Sequence, residues 1–236
     1  MVRVIAVIAF VLPGQQHVQH VMGVVIPLGV EIAVGIHMQV DVETGVQLGS
    51  FGANVVLVSG PVNVVDPTGV TTIRIESARE MFDAVEKALP ADCAIFAAAV
   101  ADWRVAEPGR EKIKKAKGAT PAFALVENPD ILATIAHRKR QRPQLVIGFA
   151  AETQNVIDNA KAKLARKGCD WIVANDVSPA TGVMGGDRNT VHLLMRESTD
   201  EIDVDSIKVE SWPVMTKEQV ATELVARVAK TVEKKS

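Results

Sequence analysis

Lysines carry the most suggestive chemistry in this chain. Lys112, Lys114 and Lys115 form the string KIKK, with Lys117 close behind. Such a cluster attracts phosphorylated ligands, although a solvated charge run has the same composition. Lys163 and Lys167 stand one turn apart on what reads as a helix, beside Arg166. Like charges at that spacing repel weakly, so an anionic partner would relieve them; a basic helix surface is the commoner cause. Asp102 is the first charge after the small, apolar stretch AAAVA (97–101), whose backbone a ligand can approach closely. It could hold a metal ion or a hydroxyl, or cap a turn, and both readings stay open. Phe149 could stack on a ring or belong to a core. His17 and His20 share the string HVQH, but no third ligand accompanies them, so a metal site is not expected there. Cys93 and Cys169 are far apart, outside any metal-type spacing, and fit a reduced protein.

These residues need elements to position them, and the chain from residue 53 onward supplies an alternation of strands and helices. NVVLVS (54–59) is a short apolar run stopped by Gly60-Pro61, hence a buried strand. TTIRIES (71–77) alternates with period two, and Ser77 with Glu80 forms a capping box opening a helix over 78–89. CAIFAAAV (93–100) reads as the next strand, and 103–121 as a long basic flap. Asn128-Pro129 predicts a helix start, Asn as cap and Pro in the first turn, running to about Arg138. Strands follow at 144–150, 171–175 and 190–195, with a helix over 156–167 that Gly168 ends. Thr216 and Gln219 cap a final helix over about 217–233. Alternating β and α segments predict an α/β protein: a Rossmann-like three-layer α/β/α sandwich with a mainly parallel sheet and a basic flap. Ligands of such sheets bind at the carboxyl ends of the strands, which is where Asp102 and Phe149 fall.

Composition narrows the field. The chain has 236 residues, 48% hydrophobic and 23% charged, which excludes a disordered chain or a small disulfide scaffold. A net charge of −2 and the absence of tyrosine argue against a nucleic-acid partner. Neither the apolar start MVRVIAVIAF nor the stretch 21–36, interrupted by Pro27 and Glu31, is a clean membrane span or signal peptide. A cytoplasmic protein is expected, with no membrane partner. A glycine fingerprint G-x-G-x-x-G after a strand and a P-loop are both missing, which disfavours a nicotinamide-dependent oxidoreductase or an ordinary P-loop enzyme.

Several strings in order are more specific than any one of them. VLVSGPV (56–62), AAVADW (98–103), KIKK (112–115), NPDIL (128–132), VIGFAAET (146–153), the helix with Lys163 and Lys167, and IVANDVS (172–178) together resemble bacterial phosphopantothenate–cysteine ligase, over about residues 51–235. That family is usually the C-terminal part of a bifunctional coenzyme A biosynthesis protein. The resemblance implies a homodimer and a two-step ligation. The carboxylate of 4'-phosphopantothenate attacks the α-phosphate of CTP, with Mg²⁺, to give an acyl-cytidylate; the amine of cysteine then displaces CMP. It also implies a nucleotide site. Phe96, Ala97 and Ala98 would be its strand end, and Asp102 and Lys112 nucleotide contacts. Pro129, Asp130, Ile131 and Leu132 would line it at a helix start, Phe149 would wall the base pocket, and Lys163 with Lys167 would meet phosphates. Ala99 would lend its backbone near the acyl-cytidylate, and Lys112 would assist activation electrostatically. Asn175 and Asp176 would serve in supporting roles. The metal ligands stay unassigned.

Residues 1–50 depart from the pattern. They contain no lysine and no asparagine, their only serine is Ser50, and their charges are Arg3, Glu31, Asp41 and Glu43. The family's Gly-Pro-Thr loop and its N-R-S-S-G-K-M-G-like segment, which supplies an Asn to the acyl-cytidylate, are not found. The expected division is an atypical N-terminal segment over 1–50, altered or out-of-frame, and a ligase-like domain over 51–236. The strand MVRVIAVIAF could replace the first family strand. Two readings follow: an active ligase, or a CTP-binding remnant without the substrate motif. No FMN is expected in this chain, though a flavin-dependent decarboxylase domain could be its partner.

Overall fold

The computed structural model describes residues 3–8, 22–26, 30–34, 54–61, 66, 69–97, 100–106, 124–178, 188–197 and 206–235. The elements begin with strand β1 (Arg3–Ile8), a hairpin of β2 (Met22–Ile26) and β3 (Val30–Val34), then β4 (Asn54–Ser59) and β5 (Thr71–Arg74). Helix α1 (Ala78–Ala88) leads to β6 (Cys93–Phe96), and β7 (Trp103–Val105) pairs with β8 (Leu125–Glu127) as a separate antiparallel ribbon. Next come α2 (Ile131–Ala136), β9 (Leu145–Glu152), α3 (Val156–Lys167) and β10 (Trp171–Asp176). The chain ends in β11 (Arg188–Asn189), β12 (Val191–Met195), β13 (Lys208–Ser211), β14 (Met215–Thr216) and α4 (Lys217–Lys235).

Eight strands form one sheet in the order β13-β12-β10-β9-β6-β1-β4-β5. Pairing is parallel from β10 through β9, β6, β1 and β4 to β5, and antiparallel where β12 and β13 extend the edge. The predicted α/β class with a mainly parallel sheet is therefore what the chain adopts. β1, from the compositionally unusual first fifty residues, lies at the sheet's centre between β4 and β6, and its Ile5 is fully buried.

Each face of the sheet has its own apolar layer. On one, Leu57, Ile95, Ile147 and Val173 meet Val220, Leu224 and Val228 of α4. Those three recur every fourth residue, so they form one stripe of the helix. On the other face, Ile5, Ala94, Val146 and Ile172 meet Met81 and Val85 of α1, Ile135 of α2 and Leu164 of α3. Fully burying such a side chain contributes about 1.5–3 kcal/mol before the chain entropy that opposes it.

The helix ends follow local chemistry. The Ser77 hydroxyl accepts the Glu80 N–H at 3.2 Å, and Glu80 Oε2 accepts the Ser77 N–H at 3.0 Å. Thr216 and Gln219 do the same for α4. Gly168 ends α3 at φ 67°, its N–H donating to Leu164 O. α2 differs from the sequence expectation. Its cap is Asp130 rather than Asn128, Pro129 precedes the cap, and the helix stops at Ala136. Asn128 is occupied elsewhere: its Nδ2 donates to Ala101 O at 2.8 Å, and its Oδ1 accepts from Arg104. The predicted strands 71–77 and 93–100 are shorter, ending at Arg74 and Phe96. Glu76 and Ser77 leave the ladder because both N–H groups donate to the Glu80 carboxylate. Part of the predicted flap, 103–105, pairs as β7; residues 107–123 lie outside the described residues. The strand β13 has no counterpart in the sequence reading.

At the amino ends of β9 and β10, Asp170 is the hub of a buried charge cluster. Its carboxylate accepts the Val146 N–H at 2.7 Å and pairs with Arg142 at 3.0 Å and Arg196 at 3.4 Å.

Candidate functional site

At the opposite, carboxyl ends of β6 and β9 the sheet opens into a cavity of about 500 Å³. Three groups of residues line it. Phe96 comes from the end of β6, Phe149 from within β9, which continues to Glu152, and Met81 from α1. Pro129, Asp130, Ile131 and Leu132 come from the entry to α2, with Glu127 and Asn128 just before it. Val100, Ala101, Asp102 and Trp103 come from the crossover after β6, and Lys163 and Lys167 from α3.

The loops on either side are tied together. Asn128 N–H donates to Asp102 O at 2.8 Å while its side chain holds Ala101 O, so the strings AAVADW and NPDIL meet through one asparagine. α2 places Asp130 and Leu132 at the rim, with Ile131 and Ile135 anchoring the helix in the core. On β9, Phe149 sits one residue beyond Gly148, whose register partners on the neighbouring parallel strands are Phe96 and Ile172.

The two lysines differ in state. Lys167 is ion-paired with Asp130, whose other oxygen accepts the Ala133 N–H at 3.0 Å. Burial alone would raise the Asp130 carboxyl; the hydrogen bonds from Lys167 and Ala133 outweigh it and hold the group below its ordinary value. Lys163 makes no hydrogen bond or ion pair with a described residue. Desolvation lowers its pKa, and the charges of Lys167 and Arg166 add to this against the opposing pull of Glu152. A half-buried ammonium with no partner among the described residues, in a cavity that Phe96 also lines, suits a ligand with an apolar ring and an anionic group.

The structure brings Phe96, Asp102, Pro129, Asp130, Ile131, Leu132, Phe149, Lys163 and Lys167 to this one cavity. Ala97 is half-buried at the end of β6 against the α4-side core and is not among the lining residues. Ala98, Ala99 and Lys112 lie outside the described residues. Asp176 Oδ1 accepts the Ser178 N–H at 2.8 Å and closes a turn. Asn175 is 2% exposed. Sequence reasoning assigned no site role to Met81, Trp103, Glu127 or Asn128. Trp103 and Asn128 belong to AAVADW and NPDIL, but nothing in their spacing marks them as ligand contacts. Among the described residues no group of three or more His, Cys, Asp or Glu could hold a metal ion.

Comparisons with known proteins bear on the family and the fold. The model of the DNA/pantothenate metabolism flavoprotein C-terminal domain family matches residues 44–232. The chain is 46% identical over 160 residues to the coenzyme A biosynthesis bifunctional protein CoaBC of Haemophilus influenzae, covering 67% of this chain and 39% of that protein. It thus spans about two fifths of the curated relatives it matches. A crystal structure of the C-terminal domain of a CoaBC protein superposes with TM-score 0.63 at 28% identity, covering 99% of this chain and 96% of that one. A Cab2 mutant in complex with phosphopantothenate-cysteine shares the fold, with TM-score 0.60 at 11% identity over 99% of this chain and 88% of that one.

Proposed function

Because the chain belongs to the DNA/pantothenate metabolism flavoprotein C-terminal domain family, we propose that it joins 4'-phosphopantothenate to cysteine in a CTP-dependent ligation, as one step of coenzyme A biosynthesis. The observation that carries this reading is the cavity itself. Residues from four separate strings of the sequence, AAVADW, NPDIL, VIGFAAET and the helix of Lys163 and Lys167, line one space at the carboxyl ends of parallel strands, with a lysine on its wall that has no ion-pair partner among the described residues.

The chemistry has two displacements. A carboxylate oxygen of phosphopantothenate forms a bond to the α-phosphorus of CTP, and pyrophosphate leaves. The amine nitrogen of cysteine then bonds to the acyl carbon, CMP leaves, and the amine loses a proton. The first encounter is between like charges, so fixed cations and donors favour its transition state. Phe96, Leu132 and Phe149 offer apolar walls to the base, and Lys163 offers its charge to the phosphates. Lys167 becomes available for the same task when a ligand displaces Asp130. Lys112 is the proposed electrostatic assistant of activation, with the Ala99 backbone near the acyl-cytidylate and Ala98 in the strand end that meets the nucleotide. The described residues offer no protein cage for Mg²⁺, so it is proposed to arrive on the triphosphate, and no step is assigned to it.

A homodimer, a cytoplasmic location and a functional link to a decarboxylase domain are part of the same proposal. The curated relatives are described as bifunctional. Among the described residues, no helix is long and apolar enough to cross a membrane.

A second reading has its own observation: residues 1–50 contain no asparagine and no lysine. On that reading the chain binds CTP and does not turn over. The purified chain, given CTP, Mg²⁺, phosphopantothenate and cysteine, is assayed for pyrophosphate and CMP, with Lys112→Ala alongside. Turnover that the variant loses supports the ligase. CTP binding without pyrophosphate release favours the remnant, and absence of CTP binding refutes both.

A further inference from the structure

We infer that Gly148 sets the depth of the cavity's ring-binding slot, and through it the choice between one-ring and two-ring bases, by letting Leu132 sink onto the sheet. This rests on the nucleotide reading above and deepens it. Gly148 lies in β9 between Phe96 of β6 and Ile172 of β10. With no side chain at that position, the sheet face under α2 has a hollow, and Leu132 fills it. A Cβ added at residue 148 would lie 2.7 Å from Leu132 Cδ2 and 2.9 Å from Ile172 Cδ1. Among the described residues the glycines at positive φ are Gly69 and Gly168, so the requirement at 148 is space rather than backbone conformation.

The two neighbours differ in their freedom to move. Ile172 is fully buried in the core. Leu132 is half-buried and borders the cavity, so the cavity is the space into which it would retreat. Leu132 and Phe96 both line the cavity, so the depth of Leu132 sets the room beside Phe96. Raising it by the width of a methyl group narrows that room, and truncating it deepens the slot. An apolar slot discriminates ligands by volume, and close-packed walls make even a methylene count.

The test is calorimetric titration of the intact chain with CTP and with ATP, both with Mg²⁺, alongside thermal melts. The proteins are wild type, Gly148→Ala, Leu132→Ala, the double variant of these, and Gly148→Ala with Ile172→Val. The wild type is expected to bind CTP more tightly than ATP. Gly148→Ala is expected to weaken CTP on the order of tenfold. Adding Leu132→Ala should restore it, and Leu132→Ala alone should narrow the CTP-to-ATP ratio. Unchanged CTP affinity in folded Gly148→Ala overturns the inference. So does a loss that Ile172→Val repairs and Leu132→Ala does not, because that places the effect in the core. Should Gly148→Ala fail to fold, the Leu132→Ala ratio decides, and an unchanged ratio overturns the inference. A wild type that binds neither nucleotide overturns the nucleotide reading itself, which is a separate result.

Discussion

Replacing Lys163 with methionine should weaken ligand binding and stabilise the empty protein. The side chain is half-buried on the cavity wall, without a hydrogen bond or ion pair to a described residue, and desolvation lowers its pKa. Methionine keeps the apolar stem in place and removes the ammonium. A charge-assisted contact from lysine to phosphate contributes about 1.5–3 kcal/mol, so the dissociation constant for CTP should rise roughly ten- to 150-fold. Stability should move the other way. A lysine whose pKa is lower in the fold than in the unfolded chain is penalised for being charged. That penalty is complete at pH values below the folded pKa and fades as pH rises toward the unfolded value of about 10.4. The variant should therefore melt above the wild type at pH 7, and the gap should close as the pH approaches about 10.4. Calorimetric titration gives the affinity and melting curves at several pH values give the gap. A variant less stable than wild type at pH 7, or one with undiminished CTP affinity, refutes the reasoning.

Other perturbations separate fold from site. Asp170→Asn breaks the buried cluster with Arg142 and Arg196 at the sheet end opposite the cavity. It should cost about 3–5 kcal/mol in urea unfolding, with nucleotide affinity unchanged in the folded fraction. Gly168→Ala places a side chain at φ 67° with its Cβ 2.6 Å from His137 Nε2. It should cost about 1–2 kcal/mol for the left-handed conformation, with more from the clash, and lower the melting temperature. Burial pushes the Cys169 thiol up to about 12 and raises Cys93 as well. Neither should react with a thiol reagent in the native protein at pH 8, and both should react once it is unfolded.

Local signals carried far in this chain. Ser77 with Glu80, Thr216 with Gln219, and Gly168 mark helix ends by chemistry confined to a few residues, and each acts where its spacing predicts. Apolar runs bounded by Gly, Pro or charges identify β4, β6, β9 and β10 for the same reason: a strand buried on both faces needs no polar position. α2 escaped that reasoning. Asn128 and Asp130 are both good caps in isolation, and a long-range demand, the Ala101 carbonyl waiting across the loop, decided between them. β13 was illegible because its alternation is short and its pairing with β12 joins distant segments.

The candidate site divides in the same way. Residue types and order alone identified Asp102, Phe149, Lys163 and Lys167 as candidates, because charge and aromatic character are properties of single residues. Their assembly into one cavity, with one lysine paired to Asp130 and the other without a partner among the described residues, depends on crossovers that bring residues 96, 130, 149 and 163 to one end of the sheet. The meaning of Gly148 is likewise tertiary: on a strand it is an ordinary small residue, until Leu132 and Ile172 close over it. Short-range chemistry is written in neighbouring residues, whereas close packing and charge pairing are properties of segments that meet only when the chain has folded.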